Sequence, residues 1–170
     1  SGVAYVYAAD GTGPHTSSAS WVEVAQLTGL EAEIGDATPA FGQAVDIYSN
    51  TIVVGAPSGL ANNRGCAVVF TTDQTYRGWS FAATLSASDA GNGDLFGHAV
   101  SMPNSSTIVV SSPKDNYGSV TDGGSVYVFT GAGSNWTETQ KIKYTGSVNQ
   151  DEFGSFNTSL ATTQKDIFVG

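Results

Sequence analysis

The chain of 170 residues carries 15 acidic against 6 basic side chains, a formal charge of −9, so its overall field repels a phosphate backbone and nucleic acid is not an expected partner. No run of about 18 apolar residues occurs, so no transmembrane segment is expected within it. A single cysteine, Cys66, excludes an internal disulfide and a multi-cysteine zinc site.

Ser1 to Ala8, SGVAYVYA, is rich in β-branched and aromatic residues and reads as a strand. It is not a basic region followed by an apolar one, the mark of a secretory leader. Because the sequence opens within a strand pattern, that describes the stretch in hand and leaves room for a leader upstream. DGTGPHTSSAS is a turn-rich connection. WVEVAQL, from Trp21, alternates so that Trp21, Glu23 and Ala25 face one side and Val22, Val24 and Gln26 the other.

Leu30 to Ala40 crosses to a second unit. There Phe41 to Val45 is a strand, Ser49 and Asn50 make a turn, and Thr51 to Val54 return antiparallel. Gly55-Ala56-Pro57 ends that strand, because proline has no amide hydrogen for a ladder. The loop SGLANNR leads to GCAVVF, where Cys66 is expected as a small buried thiol, and then past TTDQTYRG to WSFAATLSA. Each unit is therefore four short antiparallel strands, and no helix is needed.

The order then recurs: FGHAV from Phe96, STIVVSSP from Ser106, GGSVYVF from Gly123 and WTETQKIKY from Trp136. A third copy opens with FGSFN at Phe153 and reaches DIFVG, mid-unit. Backwards, GVAYVY at Gly2 matches GCAVVF, and Trp21, Trp79 and Trp136 hold one place in the pattern. Phe41, Phe96 and Phe153 lie about 55 to 57 residues apart, a spacing that marks a repeat architecture. The runs TIVV and STIVV are apolar on consecutive residues, so both faces of those strands must be covered. Four-stranded sheets stacked radially cover both, which is a β-propeller. A sandwich would not require the sequence to repeat.

Phe-Gly before one strand and Gly-Ala-Pro closing the next resemble the FG-GAP repeat of integrin α-chain propellers and of many bacterial and algal surface proteins. Phe41-Gly42 with Gly55-Ala56-Pro57 is a full match, Phe96-Gly97 with Ser111-Ser112-Pro113 a partial one, and Phe153-Gly154 the opening half. The expected fold is all-β, with residues 1–170 part of one propeller. It divides into a partial blade 1–30, blades 41–86 and 96–144, and a partial blade 153–170.

The resemblance implies calcium in the loop between the first two strands of a repeat, where oxygen ligands alternate around a glycine. DIYSN and SMPNSS lack the carboxylates for it, so no cofactor is expected and calcium remains only a secondary reading. A weaker set is Asp89, Asn92 and Asp94 in SDAGNGDL. Asp94 recurs as Asp151, both two residues before Phe-Gly, which fits a turn residue holding local amides. Of the two histidines, His15 lies in a polar loop, and His98 occupies a strand position where other copies carry Gln43 and Ser155. Neither predicts a catalytic triad. Glu31, Glu33, Glu138 and Glu152 read as exposed solubilising carboxylates, so no catalytic residue is expected.

Three sequons occur, at Asn104, Asn135 and Asn157. The expected function is a non-catalytic, adhesive or structural module of an extracellular or cell-surface glycoprotein. It would contact protein or glycan ligands, other copies of itself, or a larger assembly. The alternatives are the propeller part of a secreted hydrolase or lyase and a calcium-dependent receptor module like the integrin α-chains.

Overall fold

The computed structural model describes residues 2–10, 20–28, 40–73, 78–155 and 160–170. Among the described residues twelve strands form four antiparallel sheets. The first pairs β1 (Val3–Asp10) with β2 (Ser20–Thr28). The second runs in the order β3 (Ala44–Tyr48), β4 (Thr51–Ala56), β5 (Cys66–Thr72), β6 (Trp79–Leu85). The third repeats that order with β7 (Val100–Asn104), β8 (Thr107–Ser112), β9 (Ser125–Ala132) and β10 (Asn135–Ile142). The fourth pairs β11 (Leu160–Thr162) with β12 (Ile167–Val169). Among the described residues the one helical turn is a 3-10 turn at Ala61–Asn63.

The sheets stack through shared cores, and the apolar runs explain how. Val53 and Val69 point with Phe96, Ile108, Val110 and Tyr127 into the core between the second and third sheets. Their neighbours Ile52, Val54, Val68 and Phe70 point with Ala4, Leu27 and Phe41 into the core between the first and second. Every residue of β4 is buried, as consecutive apolar residues demand when both strand faces are covered. The innermost strands are tied by side chains. Asp46 Oδ2 accepts from the Met102 amide at 2.6 Å, and the Ser101 and Thr162 hydroxyls share a bond of 2.7 Å.

Two strand expectations are corrected. Phe41-Gly42 and Phe96-Gly97 do not lie inside strands, and neither does His98, because β3 and β7 begin at Ala44 and Val100. Gly42 and Gly97 have φ of 88° and 93°, a turn conformation that only glycine adopts without strain. Nor do Trp21, Glu23 and Ala25 share a face. Val6 pairs Ala25 while Tyr7 pairs Glu23, leaving Val24 as a bulge. That extra residue moves Ala25 onto the core side, against Leu27 and Val6. The bulge recurs at Ala82, since Phe70 pairs Phe81 and Val69 pairs Ala83. It recurs again at Thr139, between Glu138 and Gln140. In each outer strand it falls three residues after the tryptophan.

Candidate functional site: the repeat junction and its charged cluster

Each Phe-Gly pair is seated where a strand of the preceding sheet begins, at β1, β5 and β9. A Cβ on Gly2 would overlap the Phe41 carbonyl, one on Gly65 the Phe96 backbone, and one on Gly124 the Phe153 backbone. Phe96 N donates to Arg64 O at 3.0 Å and Leu95 N to Asn63 O at 3.3 Å. The next junction repeats this, with Phe153 N on Gly123 O at 3.1 Å and Glu152 N on Asp122 O at 3.0 Å. Phe-Gly then ties into its own sheet: Gly42 N donates to Gly55 O at 3.1 Å, Gly97 N to Ser111 O at 3.0 Å and Gly154 N to Gly170 O at 3.2 Å. Gly55 in turn lies against the Gly97 carbonyl, with no room for a side chain. Pro57 and Pro113 follow β4 and β8, buried where the ladder stops. The phenylalanines fill the core beside these contacts. Phe96 is fully buried, edge-on to Tyr127 at 5.5 Å and to Phe129 at 5.9 Å between ring centres. Phe41 meets Phe70 edge-on at 6.4 Å.

Asp89, Asn92 and Asp94 do not converge. Asp89 accepts from Lys141 Nζ at 2.7 Å and from the Tyr127 hydroxyl at 2.8 Å. Asn92 Oδ1 accepts from Asn62 Nδ2 and Arg64 Nε, each at 3.4 Å. Asp94 Oδ2 accepts from Gly91 N at 2.6 Å, and Asp151 Oδ2 from Val148 N at 2.9 Å, the turn role in both copies. Among the described residues no group of three His, Cys, Asp or Glu side chains is placed to hold a metal ion.

The cation beside Asp89 is Lys141. Its Nζ bonds Asp115 at 2.6 Å as well as Asp89 and stands 5.1 Å from the centre of the Tyr127 ring. Asp115, almost completely buried, also accepts from the Ser125 hydroxyl at 2.5 Å. Burial pulls the Lys141 pKa down, but the hydrogen bonds and charges of Asp115 and Asp89 outweigh it and hold the ammonium above its ordinary value. Burial pushes Asp89 up, and the hydrogen bonds of Lys141 and Tyr127 with the lysine charge bring it below the ordinary carboxylate value. Asp94 is raised, by burial first and by the Asp115 charge, with the Gly91 amide opposing.

The signs differ and set the pH response. The Asp89 contribution is present above the ordinary carboxylate pKa of 3.8 and is lost as pH falls through its lowered folded value. Asp94, whose folded value is raised, gains relative stability on acidification. Asp89 is about half exposed, so solvent screening limits its ion pair to about 0.5–1 kcal/mol. Asp89→Asn is expected to lower the unfolding free energy by that amount at neutral pH. In denaturant titrations the gap to the parent protein should close as pH falls through the Asp89 pKa.

Two of the remaining expected positions, Glu138 and Glu152, hold structural partners. Glu138, read from sequence as a solubilising carboxylate, clamps the loop after the second sheet: Oε2 accepts Ser88 N at 2.8 Å and Oε1 the Ser88 hydroxyl at 3.0 Å. Glu152 faces Lys114 at 3.8 Å. His98 Nδ1 is buried without a hydrogen-bond partner among the described residues, and burial lowers its pKa, with Glu152 opposing. His15, Glu31, Glu33 and Asn157 lie outside the described residues. Burial pushes the Cys66 thiol up to about 12, so its reactive thiolate is scarce. Asn104 ends β7 and Asn135 begins β10. Asn104 Oδ1 accepts the Ser106 amide and hydroxyl, both at 2.9 Å.

No curated protein matches the chain. A family model, described as FG-GAP repeat, matches residues 21–70 and 79–129. Each matched segment runs from a tryptophan-bearing outer strand or its vicinity across a Phe-Gly junction into the next third strand, the stretch whose contacts repeat above. The matches cover more than half of the sequence, and with the four-stranded sheets they establish that the chain belongs to the FG-GAP repeat family and that its sheets are blades of a β-propeller.

Proposed function

We propose that the chain is part of one propeller, divided at 1–30, 41–86, 96–144 and 153–170, and serves as a non-catalytic structural or adhesive module of an extracellular or cell-surface glycoprotein. It contacts protein or glycan ligands or other members of a larger assembly, and needs no cofactor for its fold. The observation that carries the reading is the use made of the polar groups. Lys141, Asp89, Asp115, Glu138 and Asp46 bind one another or the backbone, and Asp46 on β3 joins one blade to the next at the Met102 amide of β7, which is the chemistry of a rigid scaffold.

The placement of the sequons supports an extracellular setting. Asn104 and Asn135 flank the two hairpin turns of one blade, and those turns adjoin through Gly131 N on Ser106 O at 3.0 Å. Asn135 is exposed. The Asn104 turn grips the side chain by its oxygen, not by the nitrogen that carries sugar. Glycans there would crowd one end of the blade and leave the longer loops 57–65 and 113–124, at the opposite end, for ligands. Secreted from a eukaryotic host behind a supplied leader, the chain is expected to gain mass that peptide N-glycosidase removes, with Asn-to-Asp conversion at Asn104 or Asn135. A secreted product of unmodified mass counts against the glycoprotein reading.

A further inference from the structure

We propose that Lys141 and Asp115 condense, unaided, into an amide that ties β10 to the loop between β8 and β9, with Asp89 carrying a proton. This goes beyond the scaffold reading and does not depend on where the protein works. Several features set this ion pair apart from a surface one. The Lys141 side chain is 16% exposed and that of Asp115 2%, so solvent neither screens the pair nor competes for it. Nζ touches two carboxylates at once, Asp115 at 2.6 Å and Asp89 at 2.7 Å, which places a second acid–base group at the reacting nitrogen. Ser125 donates its hydroxyl to the Asp115 oxygen that faces Nζ. The Tyr127 ring walls the site beside Nζ, and its hydroxyl fixes Asp89 from the other side. In the second blade Gly59 and Thr84 stand at the corresponding places, counted from Pro57 against Pro113 and from Trp79 against Trp136. That blade lacks both partners, so the bond belongs to the third sheet alone.

In water an ammonium and a carboxylate outlast the amide they could form, because hydration stabilises both charges. Here folding has already stripped most of that hydration from Asp115 and Lys141, and condensation removes both buried charges. Contact between the two groups also replaces a chance encounter with a held one. Asp115 Oδ2 takes one ammonium proton through its hydrogen bond, and the freed amine attacks Asp115 Cγ. Asp89 takes a second proton from the nitrogen and passes it to the departing oxygen. The Nζ–Cγ bond forms, the Cγ–Oδ2 bond breaks, one water leaves, and nothing is oxidised or reduced. Asp89, about half exposed, gives that water and its protons a way to solvent. The ion pair is the reactant. A freshly folded chain therefore holds it, with the stability that Asp89→Asn removes, and the amide accumulates on standing.

Mass spectrometry of the denatured 170-residue chain, sampled over several weeks at neutral pH, tests this. The expected result is a growing species lighter by one water, in which trypsin no longer cuts after Lys141 and a branched peptide joins Asp115 to Lys141. Lys141→Arg keeps the cation without the amine and should hold its full mass throughout. Asp89→Asn should slow the accumulation by about a hundredfold, the size of a general acid–base contribution. A parent chain that keeps its full mass overturns the proposal, whether or not the variants fold. So does a water loss shared by Lys141→Arg, or one that maps to Asp122-Gly123 instead. An Asp89→Asn chain that gains the amide at the parental rate overturns the role given to Asp89. The glycan experiment reads a gain of mass at Asn104 or Asn135, so failure of either test leaves the other standing.

Discussion

Phe96→Ala is expected to lower the unfolding free energy by about 3–5 kcal/mol, the range for emptying a fully buried phenylalanine site. Phe96 has no solvent exposure, and its ring lies edge-on to both Tyr127 and Phe129. Its surroundings come from two blades, Val53, Ala67 and Val69 from one and Val100, Ile108 and Val110 from the other. Backbone bonds on either side of it fix the chain, so the site cannot collapse inward to fill the space. Phe153 holds the same place in the next copy but is only half buried, and Phe153→Ala should cost about 1 kcal/mol. Urea titrations read both through the midpoint at unchanged slope. Equal losses would contradict the view that burial between two complete blades sets the value.

Gly97→Ala is expected to cost more than about 3 kcal/mol, from two causes that add. A φ of 93° is unfavourable for any residue with a Cβ, by about 1–2 kcal/mol. The new methyl would also overlap the Cys66 carbonyl and stand 3.1 Å from the Ala56 amide nitrogen. Both are backbone atoms of sheet strands and cannot rotate aside. Gly93 separates the two causes, because its φ is 82° and a Cβ there meets nothing within 4 Å. Gly93→Ala should therefore cost about 1–2 kcal/mol. The same urea titrations decide it, and similar losses at the two sites would show that conformation alone matters.

The blades were legible because their causes are local and repeated. TIVV and STIVV announce strands covered on both sides, and β4 and β8 are buried along almost their whole length. Phe-Gly and Gly-Ala-Pro mark the junction, although reading Phe-Gly as part of the strand overlooked what a positive φ requires. The bulges at Val24, Ala82 and Thr139 were hidden, because an alternation of apolar and polar residues fits a regular strand as well as a bulged one. Their constant distance from Trp21, Trp79 and Trp136 was the available signal.

The Lys141 cluster was illegible for another reason. Asp89, Asp115 and Lys141 are far apart in sequence, and KIK on an outer strand looks solvated until the loop before Phe96 and the loop between β8 and β9 are in place. Glu138 was misread in the same way, since Ser88 reaches it only through the stacking of two blades. Asp94 and Asp151 were legible as turn residues because their partners, Gly91 and Val148, are three residues away.

At each Phe-Gly seat between blades, main-chain atoms meet glycine. Such a joint is indifferent to which copy stands on either side of it. A gene segment encoding one unit could be duplicated or lost by recombination without redesign of the surfaces on which the new neighbours meet.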